Sequence, residues 1–339
     1  MVTIEDVAKL ANTSIATVSR VMNNKSGYSK ETKKRVTEAI ESLGYESNAI
    51  ARSLKRNKTN TIGVLVPNVS SMLSNKILNG IEDYASSHNY SVLTSYSYSK
   101  PEKVMRSLKT FQEQRVDGLI FVSDDLTDRY YDYILKMDIP MVMAANEDSR
   151  YPLSFVKVDD FKAVYDAVSY LIKMGHRNIG MISGHPSEPI AGKVRIEGYK
   201  KALADADIKI DEGKIMYRND FNFESGREIF EELTQKYPKI SAVFAASDEL
   251  AVGALNKANE LKIKVPEEVS IIGYDNIPIS IMVWPALTTV SQPLEEIGYE
   301  ATKELLKQIE EEKESDLHCY MPHKIVERSS VKKIENHYK

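Results

Sequence analysis

From Thr61 to Tyr274 the chain alternates short, almost continuously apolar runs with longer amphipathic ones, and this rhythm restricts its fold more than any other feature. Thr61–Val66 (TIGVLV) reads as a strand closed by Pro67, followed by a helix over Asn75–His88 and a strand over Ser91–Tyr96. A helix over Lys100–Gln114, a strand over Gly118–Val122, a helix through Lys136 and a strand over Met141–Ala144 complete a first set. The second set reads helix Lys162–Met174, strand Asn178–Ser183, helix Lys193–Ala206, strand Lys214–Tyr217, helix Ser225–Lys236, strand Ala242–Ala246, helix Glu249–Leu261 and strand Val269–Tyr274. Strands apolar on both faces need helices on both sides, so parallel sheets are expected. Two such sets, with the chain returning to the first near Leu287–Glu314, predict a two-lobed α/β body. Its cleft lies at the strand ends, where ligands of such folds bind.

The first sixty residues follow another rule. Thr3 stands at an N-cap with Asp6 in the capping-box position, and Ile4, Val7, Ala8 and Ala11 share one helical face. The run breaks at Asn12-Thr13, since Asn tolerates a left-handed backbone. Ser14 caps a second short helix with Val18, Val21 and Met22 on its apolar side. Helices this short, joined this tightly, must cross steeply, which is a helix-turn-helix with Ile15, Ala16, Thr17, Ser19 and Arg20 left exposed. A helical hairpin in an ordinary bundle is the alternative. A third helix opening at Ser29–Thr32, with Val36, Ala39, Ile40 and Leu43 on one stripe and Gly44 behind it, completes a small all-α headpiece.

Charge separates the two parts. Eleven Lys and Arg stand against six Asp and Glu through Asn60, a surplus of five, which leaves −9 for the remainder of a chain whose total is −4. A basic end on an acidic body suits a protein that docks phosphates with one end only. The single cysteine, Cys319, excludes a disulfide framework within the chain. No apolar leader and no membrane-spanning run is legible, so the expected location is cytoplasmic and no membrane partner is expected. Walker A, G-x-S-x-G and H-E-x-x-H patterns are absent from the sequence, which argues against an enzyme, and no cofactor or metal is expected.

T-I-E-D-V-A-K-L-A, then S-I-A-T-V-S-R-V, then L-G-Y-E-S-N-A-I-A-R-S-L over 43–54 together resemble the lactose/galactose-repressor family of bacterial transcription factors. The likeness extends to its maltose- and sucrose-type repressors and to the catabolite control proteins of Gram-positive bacteria. It departs at Asn12, where the family usually has Gly, and at Ser47, where it usually has Pro. The layout implied is a headpiece over 1–46, a hinge over 47–60, a first lobe of 61–160 with 290–323, and a second of 161–289 with 324–339. For the headpiece the resemblance implies Ile15, Ala16 and Arg20 on base edges, with Thr3, Ser14, Thr17, Asn23 and Lys33 on phosphates. In the hinge Asn48 would cap a helix carrying Ala51, Arg52 and Leu54, with Leu54 wedged into the minor groove. Eight residues do not hold a helix alone in water, so the hinge is expected to order on DNA.

For the cleft the resemblance implies an effector-binding Arg195, an acidic Asp275, the strand-end pair Ser247-Asp248 where relatives carry Asn-Asp, and Phe221 as an aromatic cover for a sugar ring. Asn146 stands beside the usual acidic position, here Ala145, and Trp284 stands where the catabolite-control branch would have Arg. A surface salt bridge is the plainer reading of Arg195 and Asp275, and a core aromatic that of Phe221. The function expected is a homodimeric repressor of carbohydrate genes, bound to a pseudo-palindromic double-stranded operator and governed by a small sugar. Its tail, Ser329–Lys339, lacks a leucine heptad, so a tetramer is not expected. Alternatives are regulation by a phosphorylated phosphocarrier protein, a sugar-processing enzyme, or a freestanding binding protein.

Overall fold

The computed structural model describes residues 2–22, 25–45, 58–69, 71–98, 100–123, 126–218, 221–312 and 315–334. The chain divides into two compact units, Met1–Thr59 and Asn60–Lys339. In the first, α1 (Ile4–Leu10), α2 (Ile15–Met22) and α3 (Lys30–Leu43) enclose Val7, Val18 and Val36, each 0% exposed. Fully burying a valine contributes about 1.5 kcal/mol or more. Local chemistry sets the starts of α1 and α2 and the end of α3. The Thr3 hydroxyl accepts from the Asp6 amide at 3.3 Å while the Asp6 carboxylate accepts from the Thr3 amide at 2.9 Å. Asn12 takes a φ of 47°, the Ser14 hydroxyl caps the Thr17 amide at 3.2 Å, and Gly44 ends α3 at a φ of 58°.

The second unit holds two six-stranded sheets. The first contains β1 (Thr61–Val66), β2 (Ser91–Tyr96), β3 (Gly118–Val122), β4 (Met141–Ala144), β5 (Ser154–Val158) and β11 (His318–Met321). Its order is β11-β5-β4-β3-β1-β2 and every pairing is parallel. The second contains β6 (Ile179–Ser183), β7 (Ile215–Tyr217), β8 (Ala242–Ala245), β9 (Ser270–Asp275), β10 (Thr288–Ser291) and β12 (Lys324–Val326). Its order is β12-β10-β9-β8-β6-β7, parallel apart from the antiparallel pair β10–β12.

Helices α4 (Met72–Ser87), α5 (Pro101–Glu113), α6 (Asp128–Met137) and α12 (Leu294–Glu311) serve the first sheet. Helices α7 (Asp160–Lys173), α8 (Arg195–Asp205), α9 (Phe223–Lys236), α10 (Asp248–Glu260) and the single turn α11 (Ile279–Met282) serve the second. A π-helical turn, Pro189–Val194, leads into α8. The chain therefore passes between the lobes three times, from β5 to α7, from β10 to α12 and from β11 to β12. Each lobe also keys one helix pair through reciprocal glycines. A Cβ on Gly80 of α4 would strike the Glu295 carbonyl and one on Gly298 of α12 the Ile77 carbonyl; Gly226 and Gly253 do the same for α9 and α10.

Four strands, β5, β10, β11 and β12, exceed the sequence expectation. Lys157 interrupts the apolar run of β5, and Thr288 and Thr289 make β10 look polar, although both threonines are 0% exposed. Helix starts also move: Ser71 caps the Ser74 amide, Asp159 the Lys162 amide and Asn222 the Ser225 amide, so α4 begins at Met72, α7 at Asp160 and α9 at Phe223, while α8 begins at Arg195 behind the π-helical turn.

Candidate functional site

In the headpiece unit the tight turn leaves the N-terminal end of α2 facing solvent. Ile15 is 45% exposed, and Ala16 and Arg20 are exposed on the same short helix. Thr3, Ser14 and Lys33 are exposed and Thr17 is half-buried, its hydroxyl 2.9 Å from that of Ser14. The Arg20 side chain runs beside Gly27, whose φ of 107° holds the loop after α2. A helix N-terminus rimmed by hydroxyls, with a fork-shaped cation one turn on, is chemically suited to phosphates and to a guanine edge. Asn23, Asn48, Ala51, Arg52 and Leu54 lie outside the described residues.

In the body a cavity of about 840 Å³ opens between the lobes. Its first-lobe wall is Leu126–Arg129, after β3, and Asn146–Arg150, after β4; its second-lobe wall is Ile190, Lys193, Val194 and Glu197. These are carboxyl-end segments of parallel strands and the start of a helix, the positions where such folds take ligands. Of the cleft residues expected from sequence, the structure places Asn146 on this cavity. Its amide oxygen accepts from the Glu147 backbone at 2.8 Å.

The remaining candidates are held elsewhere. Arg195 is 8% exposed, and its Nε and Nη2 donate to Asp160 Oδ1 at 3.0 and 2.9 Å. Its Nη1 donates to the Ala246 carbonyl, and the guanidinium lies 4.0 Å over the Tyr274 ring. The plainer reading, a salt bridge, is thus present, but buried rather than on the surface. Burial opposes the charge on both partners, yet their attraction prevails, so Asp160 stays below its ordinary pKa and Arg195 above its own.

Ser247 caps α10 through the Leu250 amide at 3.1 Å. Asp248, 0% exposed, accepts from the Thr289 hydroxyl at 2.6 Å and the Ile277 amide at 2.8 Å. Burial pushes its pKa up to about 7 against those bonds. Asp275 closes β9 with a φ of 115° and accepts from the Gln292 amide at 2.7 Å. Burial raises its pKa well above the carboxylate range, with Arg195 opposing. Phe221 is half-buried against the second-lobe core. Trp284 is 88% exposed, beside the exposed Ile281 and Met282, and is not among the residues that line this cavity.

Sequence reading missed the group that joins the two walls: Glu147, Lys157, Asp160, Tyr274 and Tyr320. The available signal was a lysine inside an otherwise apolar V-K-V strand three residues before Asp160.

Comparison with known proteins agrees with this division. Residues 3–48 match the model of bacterial regulatory proteins of the lacI family, and residues 168–331 that of the periplasmic binding protein-like domain. Catabolite control protein A of Priestia megaterium is 38% identical over 331 residues, covering 98% of this chain and 99% of that protein. The structure of the lac repressor dimer bound to operator and the anti-inducer ONPF superposes with a TM-score of 0.87 at 25% identity, covering 98% of this chain and 99% of that one. A transcriptional regulator CelR–cellobiose complex has a TM-score of 0.75 at 28% identity, covering 97% of this chain and 100% of that one.

Proposed function

This chain belongs to the lacI family of bacterial regulatory proteins, and from that premise we propose how it acts as a DNA-binding transcriptional repressor. Ile15, Ala16 and Arg20 read base edges in one operator half-site, while Thr3, Ser14, Thr17, Asn23 and Lys33 hold phosphates. The hinge residues Asn48, Ala51, Arg52 and Leu54 order on DNA, and paired Leu54 side chains kink its centre. The effector is a small sugar, with maltose among the candidates, taken between the lobes beside Asn146. Binding that favours one lobe arrangement over the other then shifts operator affinity.

The observation that carries this reading is the inter-lobe cavity, with Asn146 on one wall and Val194, next to Arg195, on the other. The cellobiose held by the similar CelR protein supports a sugar. A homodimer in the cytoplasm, without enzymatic turnover, completes the proposal. The exposed Ile281, Met282 and Trp284, at 63%, 70% and 88%, support self-association, since a cluster of large apolar side chains gains by being covered. Control by a phosphorylated carrier protein is the second reading, favoured by the likeness to catabolite control protein A; against it, Trp284 stands where that branch would have Arg. Calorimetric titration with mono- and disaccharides, with and without a selected operator duplex, tests the scheme. A sugar that binds and changes operator affinity supports it; sugars that bind without changing operator affinity would sink it.

A further inference from the structure

A buried lysine occupies the first passage between the lobes. Lys157, on β5, is 1% exposed, and its ammonium lies 3.1 Å from Glu147 Oε1 and 3.0 Å from Asp160 Oδ2. Glu147 belongs to the first lobe and lines the cavity, and its Oε2 accepts from the Tyr320 hydroxyl at 2.7 Å. Asp160 opens α7 in the second lobe, where its Oδ1 takes Arg195 and the Tyr274 hydroxyl at 2.9 Å. Glu147, Lys157, Asp160 and Arg195 carry two charges of each sign, so the buried members are compensated.

Glu147 is the most accessible of the four, its side chain 26% exposed against 9% for Arg195, 3% for Asp160 and 2% for Lys157. A solute entering the cleft therefore meets this series at Glu147. Lys157 is cut off from water and must follow that carboxylate or lose a partner, which buried ammonium groups resist strongly.

We propose that Lys157 is a positioning residue that passes a displacement of Glu147 to the Asp160–Arg195 pair, and so to the angle between the lobes. The proposal rests on the reading of the cavity as the effector site. A donor group on the solute, such as a sugar hydroxyl, draws Glu147 toward the cavity. Lys157 shifts with it, and the start of α7 and the guanidinium on α8 answer in the other lobe. If Lys157 only neutralised its neighbours, disturbance at Glu147 would stay in the first lobe.

Amide exchange on the full chain without solute separates the two. Glu147→Gln keeps the buried residues in place, and Lys157→Met removes the intermediary. Both are expected to speed exchange about threefold or more in second-lobe peptides spanning 195–205 and 270–276, as well as in 141–158. Changes confined to 141–158 in both variants would overturn the proposal. Repeating the exchange with maltose, cellobiose and ribose keeps its fate apart from that of the effector reading. If no sugar alters the parent while Glu147→Gln still reaches the second lobe, the effector reading falls and the linkage stands. If a sugar protects both lobes equally in the parent and in Lys157→Met, the linkage falls and the effector reading stands.

Discussion

The two lobes share a plan and treat their polar strand-end residues oppositely. Both have six strands and one helix pair keyed by reciprocal glycines. In the second lobe Ser247, Asp248 and Asp275 are drawn inside and bonded to the fold, so their chemistry is set before any solute arrives. In the first lobe Asn146–Arg150 stay on the cavity wall, and Asp148 answers to a half-exposed Arg150. Burial opposes ionisation of Asp148, but the Arg150 bonds hold its carboxyl below the ordinary value. Three second-lobe strand-end residues are thus desolvated, while the first-lobe wall keeps Arg150 half-exposed to solvent. Carboxylates of the same type thereby acquire different energetic weight.

The sharpest break in that contrast comes from comparing ion pairs. Asp160→Asn strips compensation from the buried Arg195 and Lys157 and should cost about 3–5 kcal/mol, read as a lowered urea midpoint of the full chain. A loss under about 1 kcal/mol would mean that water already reaches the network.

Next is pH. Asp248 has a raised pKa in the fold, so between about 4 and about 7 the unfolded chain has released a proton that the folded chain keeps. Its contribution therefore falls as pH rises through that window, by at most about 1.4 kcal/mol per pH unit, and Asp275 acts in the same direction. Asp248→Asn should flatten the dependence of the urea midpoint between pH 5 and pH 8. An unchanged slope would show that Asp248 ionises freely.

The shared plan has its own test. Gly80→Ala and Gly253→Ala each push a methyl into a facing backbone carbonyl, and each should cost about 1–3 kcal/mol by thermal unfolding. Similar losses would confirm that both lobes depend on the crossing, and unequal ones would locate the weaker lobe. The smallest effect is expected from Asp148→Asn, the first-lobe counterpart of Asp160→Asn: under about 1 kcal/mol, because Arg150 is 55% exposed.

What the sequence revealed divides along the same line. The headpiece was legible because its determinants are local: Thr3 with Asp6, Ser14 with Thr17, Gly44 behind Leu43. The apolar strands of both sheets were legible by composition. Of the strands that escaped, β5 carries Lys157, and β10 carries threonines whose burial depends on Ser330 and Asp248, distant in sequence. The cleft was least legible for the same reason. Arg195 is committed by Asp160, and Asp248 by Ile277 and Thr289, and no spacing rule announces such pairings. The hinge expectations at Asn48, Ala51, Arg52 and Leu54 fall outside the described residues.

The threefold passage between lobes has a consequence for biosynthesis. A nascent chain exposes β3 to β5 long before the ribosome has made α12, which packs on them, or β11, which pairs with β5. The first-made half of the body must therefore wait for the last-made segment, and a truncated translation product would present an open sheet to chaperones and proteases.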